Sequence, residues 1–429
     1  MKRKTFFITL ILAIVLCILA VAGTIVYSAL NSKKQKNEVE NREAPPVEIT
    51  LVYAYQNAQW NETILNTVQA FEAANPDVHV NVKTQFQDTV YEDSLKKLIA
   101  RGELGDIVQL KTPDPYAAED LLMPVPEEVV SLVDAHYIYD GEVYGVGAVG
   151  VTEGIIYNKK IFEKFGMHEP ATYEEFISSL NTLGLAGSPL GIAGSELWHL
   201  EYWMNHFFRT DCLSVSENWL SECLQGKRKW TDPEAVKMLT HLQEIAAGNR
   251  AVYEWENVND SSLAYLMAEG KISMIYSGAS KLKAIAEVDP TMDLGWFYVP
   301  DSQGRTFAAD TKDVYWALAA SCSSDPRKYD AVSRFLKFFF TDQYESIIND
   351  VNGLSTLAGL DTEYVLKDKR VLTPFMNATY TTGVYIGNSD TPQGFEEPML
   401  IIVKELMAGR LTPEEAAAQI QEIWENEKV

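Results

Sequence analysis

Apolar residues change their period several times along this chain, and each change marks an element. Glu48 to Tyr55 is a nearly continuous apolar run that reads as a buried strand. Asn61 to Ala74 then sets Ile64, Leu65, Val68 and Phe71 on one helical stripe, and Asn75-Pro76-Asp77 stops that helix. Val78, Val80 and Val82 alternate with polar residues as a second strand. Two strands joined through a helix imply a parallel sheet, because parallel neighbours need a long crossover. Tyr91 to Arg101 reads as a helix ending at Gly102, and Gly105-Asp106-Ile107-Val108 opens a third strand. The predicted fold class is α/β.

The stretch from Asp140 to Gly166 carries three parts in close succession. Asp140-Gly141 suits a tight turn, Val143 to Val151 alternates apolar residues with glycines, and Ile155 to Tyr157 is a short apolar strand. Asn158 then caps a helix bearing Ile161, Phe162 and Phe165. Thr172 and Glu175 form a capping-box pattern, while Asp232-Pro233 and Asp325-Pro326 each place a cap before a first-turn proline. Gly270 to Tyr276 reads as a strand with Ser277-Gly278 as its turn, Tyr315 to Ser321 as a return strand, and Phe335 to Phe340 as the apolar face of a helix. Thr412-Pro413-Glu414-Glu415 opens a last helix with Ala416, Ile420 and Ile423 facing inward.

The N-terminus follows different rules. Lys2-Arg3-Lys4 precedes an almost unbroken apolar run from Phe6 to Leu30, long enough to span a bilayer. We read residues 1–30 as a transmembrane or signal helix, with an uncleaved anchor preferred; Ala20-Val21-Ala22 before Gly23 keeps cleavage open. Cys17 lacks a small residue at Leu16, which argues against a lipidated N-terminus. Residues 31–46, ending in Pro45-Pro46, have the polar composition of a solvated linker. The folded body is expected over 47–429.

Charge removes some function classes. Residues 1–46 carry net +4 against −24 for the whole chain, which leaves −28 on residues 47–429. A body so acidic repels phosphate backbones, so nucleic acid is not an expected partner. Cys212 and Cys223 are near enough in sequence to be bridged or left reduced, and Cys322 reads as a buried thiol. The six histidines show no metal-ligand spacing, and no nucleophile-elbow, zinc-protease or phosphate-loop motif occurs. No catalytic residue, metal or cofactor is therefore expected, and the chain is read as a binding protein.

These segments together resemble the maltose-binding type of bacterial extracytoplasmic solute-binding protein. That family writes D-G-x-x-Y-G-x-P, an apolar strand and Y-N-K where its chain crosses between lobes. Asp140, Gly141, Tyr144, Gly145, Tyr157, Asn158 and Lys159 match, and Gly147 replaces the proline. Phe71, Pro76, Val78, Val80 and Asp106 match the opening, and Gly270-Lys271 with Met274 resembles the family's G-K-x-A-M strand. The resemblance implies a two-lobed periplasmic-binding-protein type II fold with hinge crossings. Lobe one would comprise about 47–150 and 315–365, and lobe two about 154–309 and 373–429. Crossings are expected near 150–153, 310–315 and 364–372. It also implies a monomeric receptor of an ABC-type importer, held at the cell membrane with its body outside, passing a small molecule to permease subunits. A sensor module or a carbohydrate-acting hydrolase on the same scaffold is the alternative.

Carbohydrate is the expected ligand, since aromatic faces complement the C–H faces of sugar rings while polar side chains bind hydroxyls. Trp296, Phe297, Trp316 and Trp424 fall within element patterns and read as core. Tyr55 and Trp60 at the end of the first strand, and Trp198 and Tyr202 in WHLEYW, are the aromatic ligand-binding candidates. Position in the family pattern adds Gln109 and Lys111 after the third strand, Glu153 at the first crossing, Tyr276 and Ser280 near the second-lobe turn, and Phe395 with Glu396 in a late loop. Relatives commonly place an aromatic residue near Leu110 and another near Ser280; this chain has neither, which puts a standard maltodextrin pocket in doubt.

Overall fold

The computed structural model describes residues 45–428, except 56–57, 87–88, 313, 388–389 and 393. The expected anchor and nearly all of its linker lie outside these residues. Among the described residues no helix is long and apolar enough to cross a membrane.

In chain order the strands are β1 (Val47–Tyr55), β2 (Val78–Phe86), β3 (Ile107–Leu110), β4 (Leu122–Met123), β5 (His136–Tyr139), β6 (Glu142–Gly147), β7 (Glu153–Asn158), β8 (Leu190–Gly191), β9 (Met274–Gly278), β10 (Leu294–Phe297), β11 (Phe307–Ala309), β12 (Tyr315–Ala319) and β13 (Tyr380–Thr382). They form two main sheets. The first runs β2-β1-β3-β12-β6-β5, with β4 also paired to β12; the second runs β10-β7-β9-β8. β1 and β3 are parallel, as the strand-helix-strand pattern requires, whereas β12 returns antiparallel to both β3 and β6. In the second sheet β7 pairs antiparallel with β9 and β10, and β8 is parallel to β9.

Local sequence explains the joints. Asp140 and Gly141 both take positive φ, 47° and 83°, the geometry of a primed hairpin turn between β5 and β6. Asn158 ends β7 and caps the helix Lys159–Lys164 by accepting from the Lys160 and Ile161 amides. Thr412 and Glu415 form a complete capping box on the helix Pro413–Glu427. Asp232 instead turns its carboxylate back to the Lys229 amide. Leu65 is largely exposed while Ile64, Val68 and Phe71 are buried, so the first helical stripe is narrower than its apolar spacing suggests. Ser277 and Gly278 belong to β9 itself, because they pair with Gly154 and Glu153.

Each sheet has its own apolar cluster. Val52, Val108, Leu110, Leu122 and Ala317 lie in the first. The second gathers β7 and β9 with the helices Leu197–Phe207, Pro233–Ala246, Glu396–Met407 and Pro413–Glu427. The chain passes between the sheets through 148–152, between β10 and β12, and again between Leu354 and the helix Glu396–Met407. These passages pair with one another: Gly150 with Leu354, Val151 with Thr311, and β11 parallel to β13. Gly150 allows this approach, since a Cβ there would lie 2.9 Å from the Leu354 Cβ. Cys212, Cys223 and Cys322 are free, buried thiols, which resolves the open pairing of the first two.

Candidate functional site

A cleft with about 970 Å³ of open space, counting its mouth, lies where the passages meet. Trp60 enters from the helix Ala58–Ala74, which packs with the helix Tyr344–Val351; the end of the latter contributes Val351, Asn352 and Gly353. The opposite wall comes from the second-sheet side: Trp198 and Tyr202 on the helix Leu197–Phe207, Asp260 at the start of Asp260–Ala268, and Ser277 to Lys281 at the end of β9. Val149 to Thr152, the first passage, closes the base.

Three aromatic side chains, Trp60, Trp198 and Tyr202, line this cleft. Trp60 is buried, donates from its indole nitrogen to Gln109 Oε1 at 3.3 Å, and lies parallel to Trp316 with centroids 6.3 Å apart. Trp198 and Tyr202, one helical turn apart, meet edge to face at 5.6 Å. The polar groups are mostly neutral donors and acceptors. Asn352 takes a left-handed backbone, φ 49°, and donates to the Ala279 carbonyl at 3.3 Å across the cleft. The lining's charged pair neutralises itself, because Lys281 donates to the Asp260 carboxylate and, at 2.8 Å, to the Asp260 carbonyl.

His199 stands behind Asp260, with Nε2 3.8 Å from Oδ1. Its Nδ1 accepts from the Ala193 amide at 3.4 Å, which places the neutral ring's proton on Nε2, toward the carboxylate. Full burial pushes the His199 pKa down to about 4, against the pull of Asp260.

A second polar cluster joins the two sides. Lys111, just past β3, lies 3.2 Å from Glu201 Oε1 and 3.2 Å from Glu396 Oε1, and 5.7 Å over the Tyr385 ring. Burial and then the neighbouring Glu396 carboxylate push the Glu201 pKa well above the ordinary carboxylate range, with Lys111 opposing them.

The residues singled out by sequence thus fall into three places. Trp60, Trp198, Tyr202 and Ser280 line the cleft, and Gln109 holds Trp60. Lys111 and Glu396 belong to the bridging cluster. Glu153, Tyr276 and Phe395 lie in the second-sheet interior: Glu153 is paired with Arg209 at 2.8 Å, Tyr276 packs 4.5 Å from Trp203 and accepts from Arg209, and Phe395 is wedged between Trp230 and Trp424. Phe395, the N-cap of the helix that starts at Glu396, is wholly buried in the second-sheet cluster, whereas Glu396 stays partly exposed and meets Lys111. Tyr55 ends β1, and its side chain lies outside the described residues.

Asp260, Lys281, Asn352 and Glu201 were missed. Asn259-Asp260 reads as an ordinary helix start, and nothing local aims it at a cleft. Glu201 carried a usable signal, since it sits three residues after Trp198 on the same helical side.

Comparison with known proteins places these features in context. A family model described as "Bacterial extracellular solute-binding protein" matches residues 66–351. The chain is 22% identical over 349 residues to the Multiple sugar-binding protein of Streptococcus mutans serotype c, covering 77% of this chain and 79% of that one. Among solved structures, a chitin oligosaccharide binding protein superposes with a TM-score of 0.76 at 20% identity, covering 89% of this chain and 99% of the other. The structure titled "SBP RafE in complex with raffinose" gives 0.72 at 17% identity, covering 89% and 100%. At these identities the structural likeness establishes a common fold.

Proposed function

The chain belongs to the bacterial extracellular solute-binding proteins, and from that premise we propose that it captures a carbohydrate in the aromatic cleft and presents it to the permease of an ATP-driven importer. The observation that carries the sugar assignment is the wall made by Trp60, Trp198 and Tyr202 beside a neutral polar lining. Aromatic faces take up the C–H faces of a pyranose, while Ser277, Ser280, Asn352 and the Asp260–Lys281 pair offer partners to its hydroxyls. The names of the relatives, a multiple sugar-binding protein and a chitin oligosaccharide binding protein, support the same class.

The two bodies that move are the lobes at about 47–150 with 315–365 and 154–309 with 373–429. Ligand touches both only when the cleft is shut, so its binding energy shifts the population toward closure. The permease reads the shut form. The ligand leaves chemically unchanged, the chain acts as a monomer, and the apolar run Phe6 to Leu30 holds it at the outer face of the cell membrane.

Thermal-shift screening of the full chain in detergent against neutral oligosaccharides, amino acids and metal salts tests this reading. A ligand present at 100 times its dissociation constant adds about 2.7 kcal/mol of stability. A clear upward shift with an oligosaccharide, and recovery of that sugar intact by chromatography, is the expected result. No shift with any sugar would remove the carbohydrate assignment, and recovery of shortened products would make the protein a hydrolase.

A further inference from the structure

We propose that Lys281 contacts the ligand, donating one N–H to an oxygen of the bound sugar, while Asp260 and His199 hold it in place. The inference rests on the carbohydrate reading above and names the cation that reads the sugar from the second-sheet wall. Lys281 opens the helix Lys281–Val288, Asp260 opens Asp260–Ala268, and both residues line the cleft. An ammonium carries three N–H donors. Lys281 spends one on Asp260 Oδ2 and one on the Asp260 carbonyl at 2.8 Å. No further hydrogen bond ties it to the described residues, and its side chain is 10% exposed, which leaves one donor for a guest.

Asp260 has nothing comparable to offer. Its Oδ2 and carbonyl take the Lys281 bonds, while Oδ1 is turned inward, away from solvent, 3.8 Å from His199 Nε2. The Asp260 amide is tied down as well, donating to Glu196 Oε2 at 2.8 Å. Glu196 is the N-cap of the helix Leu197–Phe207, and His199 lies in its first turn. The helix that brings Trp198 and Tyr202 to the cleft therefore fixes Asp260 at two points, and Asp260 in turn aims Lys281. Two hydroxyls lie close by: a Cβ built on Gly278 would sit 3.9 Å from the Tyr202 hydroxyl and 4.0 Å from Ser280 Oγ. Lys281 follows Ser280 directly, so an ammonium, two hydroxyls and the Trp198 ring border one space.

Pairing with Asp260 cancels the Lys281 charge, so the contact selects an oxygen acceptor, a hydroxyl or an amide carbonyl, without demanding an anionic sugar. His199 is wholly buried and touches no sugar. It is a positioning residue: with Nδ1 occupied by the Ala193 amide, its neutral ring keeps the Nε2 proton turned to Asp260.

Titration calorimetry of the full chain in detergent tests the assignment, using as probe the neutral oligosaccharide that gives the largest thermal shift. Lys281→Met alone leaves Asp260 uncompensated, so it is combined with Asp260→Asn, which keeps the cluster neutral. This double variant is expected to bind about tenfold to a hundredfold more weakly, the loss of one charged hydrogen bond, with little change in melting temperature. His199→Leu should weaken binding about threefold to tenfold, while His199→Gln, which still donates toward Asp260, restores most of the loss. Unchanged affinity in the double variant would overturn the proposal. So would a loss of binding matched by a large fall in melting temperature, which would make Lys281 a structural residue only. Equal losses in His199→Leu and His199→Gln would remove the positioning role. If the unaltered chain binds no neutral oligosaccharide, the carbohydrate reading falls first and this contact with it.

Discussion

Arg209 donates from Nη2 to Glu153 Oε2 at 2.8 Å, and both side chains are wholly removed from solvent. The pair links the first residue of β7 to the helical segment Phe208–Leu213, directly behind the cleft floor. Burial works against the Arg209 cation, and Glu153 together with the Tyr276 and Tyr385 hydroxyls more than offsets it.

A buried ion pair is costly to half-remove. Glu153→Gln leaves an uncompensated guanidinium in the interior and is expected to lower unfolding stability by about 3 to 5 kcal/mol. Glu153→Gln combined with Arg209→Met should recover much of that loss. Denaturant midpoints of the three variants decide the matter, and equal losses in single and double variants would contradict it.

Trp198 and Trp203 lie on one helix but should fail differently. Trp203 is fully buried and lies nearly parallel to Phe207 at 5.9 Å, so Trp203→Ala should cost about 3 to 5 kcal/mol of stability. Trp198 faces the cleft, and Trp198→Ala should weaken sugar binding by about tenfold, or roughly 1.4 kcal/mol, with a smaller change in unfolding midpoint. Titration calorimetry alongside thermal unfolding separates the two effects.

His199 makes the acid limb of stability predictable. Its pKa is held down at about 4 in the folded chain against 6.5 for an ordinary histidine, so the unfolded chain takes up the proton first as pH falls. Stability is therefore lost between pH 6.5 and 4, by up to about 3 kcal/mol from this residue. His199→Asn, which keeps an acceptor near the Ala193 amide, should flatten the fall in melting temperature over that window.

Gly150 should not tolerate a side chain. A Cβ there would lie 2.9 Å from the Leu354 Cβ and 3.0 Å from Asp310 Oδ1, while its own amide and carbonyl are both bonded to Leu354. Gly150→Ala is expected to cost about 1 to 3 kcal/mol, measured by thermal unfolding, through forced separation of two passages between the sheets.

Period and punctuation made the elements readable. Alternation at Val78, Val80 and Val82, the caps at Asn158 and Thr412, and the Asp140-Gly141 turn are all set by interactions within a few residues, and they appear where the sequence places them. Strand and helix patterns likewise marked Trp296, Phe297, Trp316 and Trp424 as interior. The cleft was less legible, because facing it is a property of packing rather than of residue type. Tyr276 and Tyr202 look equivalent as aromatic candidates, yet β9 turns Tyr276 into the second-sheet interior while the helix Leu197–Phe207 turns Tyr202 into the cleft.

By itself the sequence determined the α/β alternation, the strongly acidic body and the family, since each rests on local pattern or summed composition. Only the tertiary structure decided which polar residues meet. Lys111 and Glu396 are 285 positions apart, and Asp260 reaches Lys281 across a helix and a strand. No periodicity encodes such pairs. They arise when two sheets, joined by passages through 148–152 and between β10 and β12, bring separate helix ends to one cleft, where burial strengthens every charge that finds a partner.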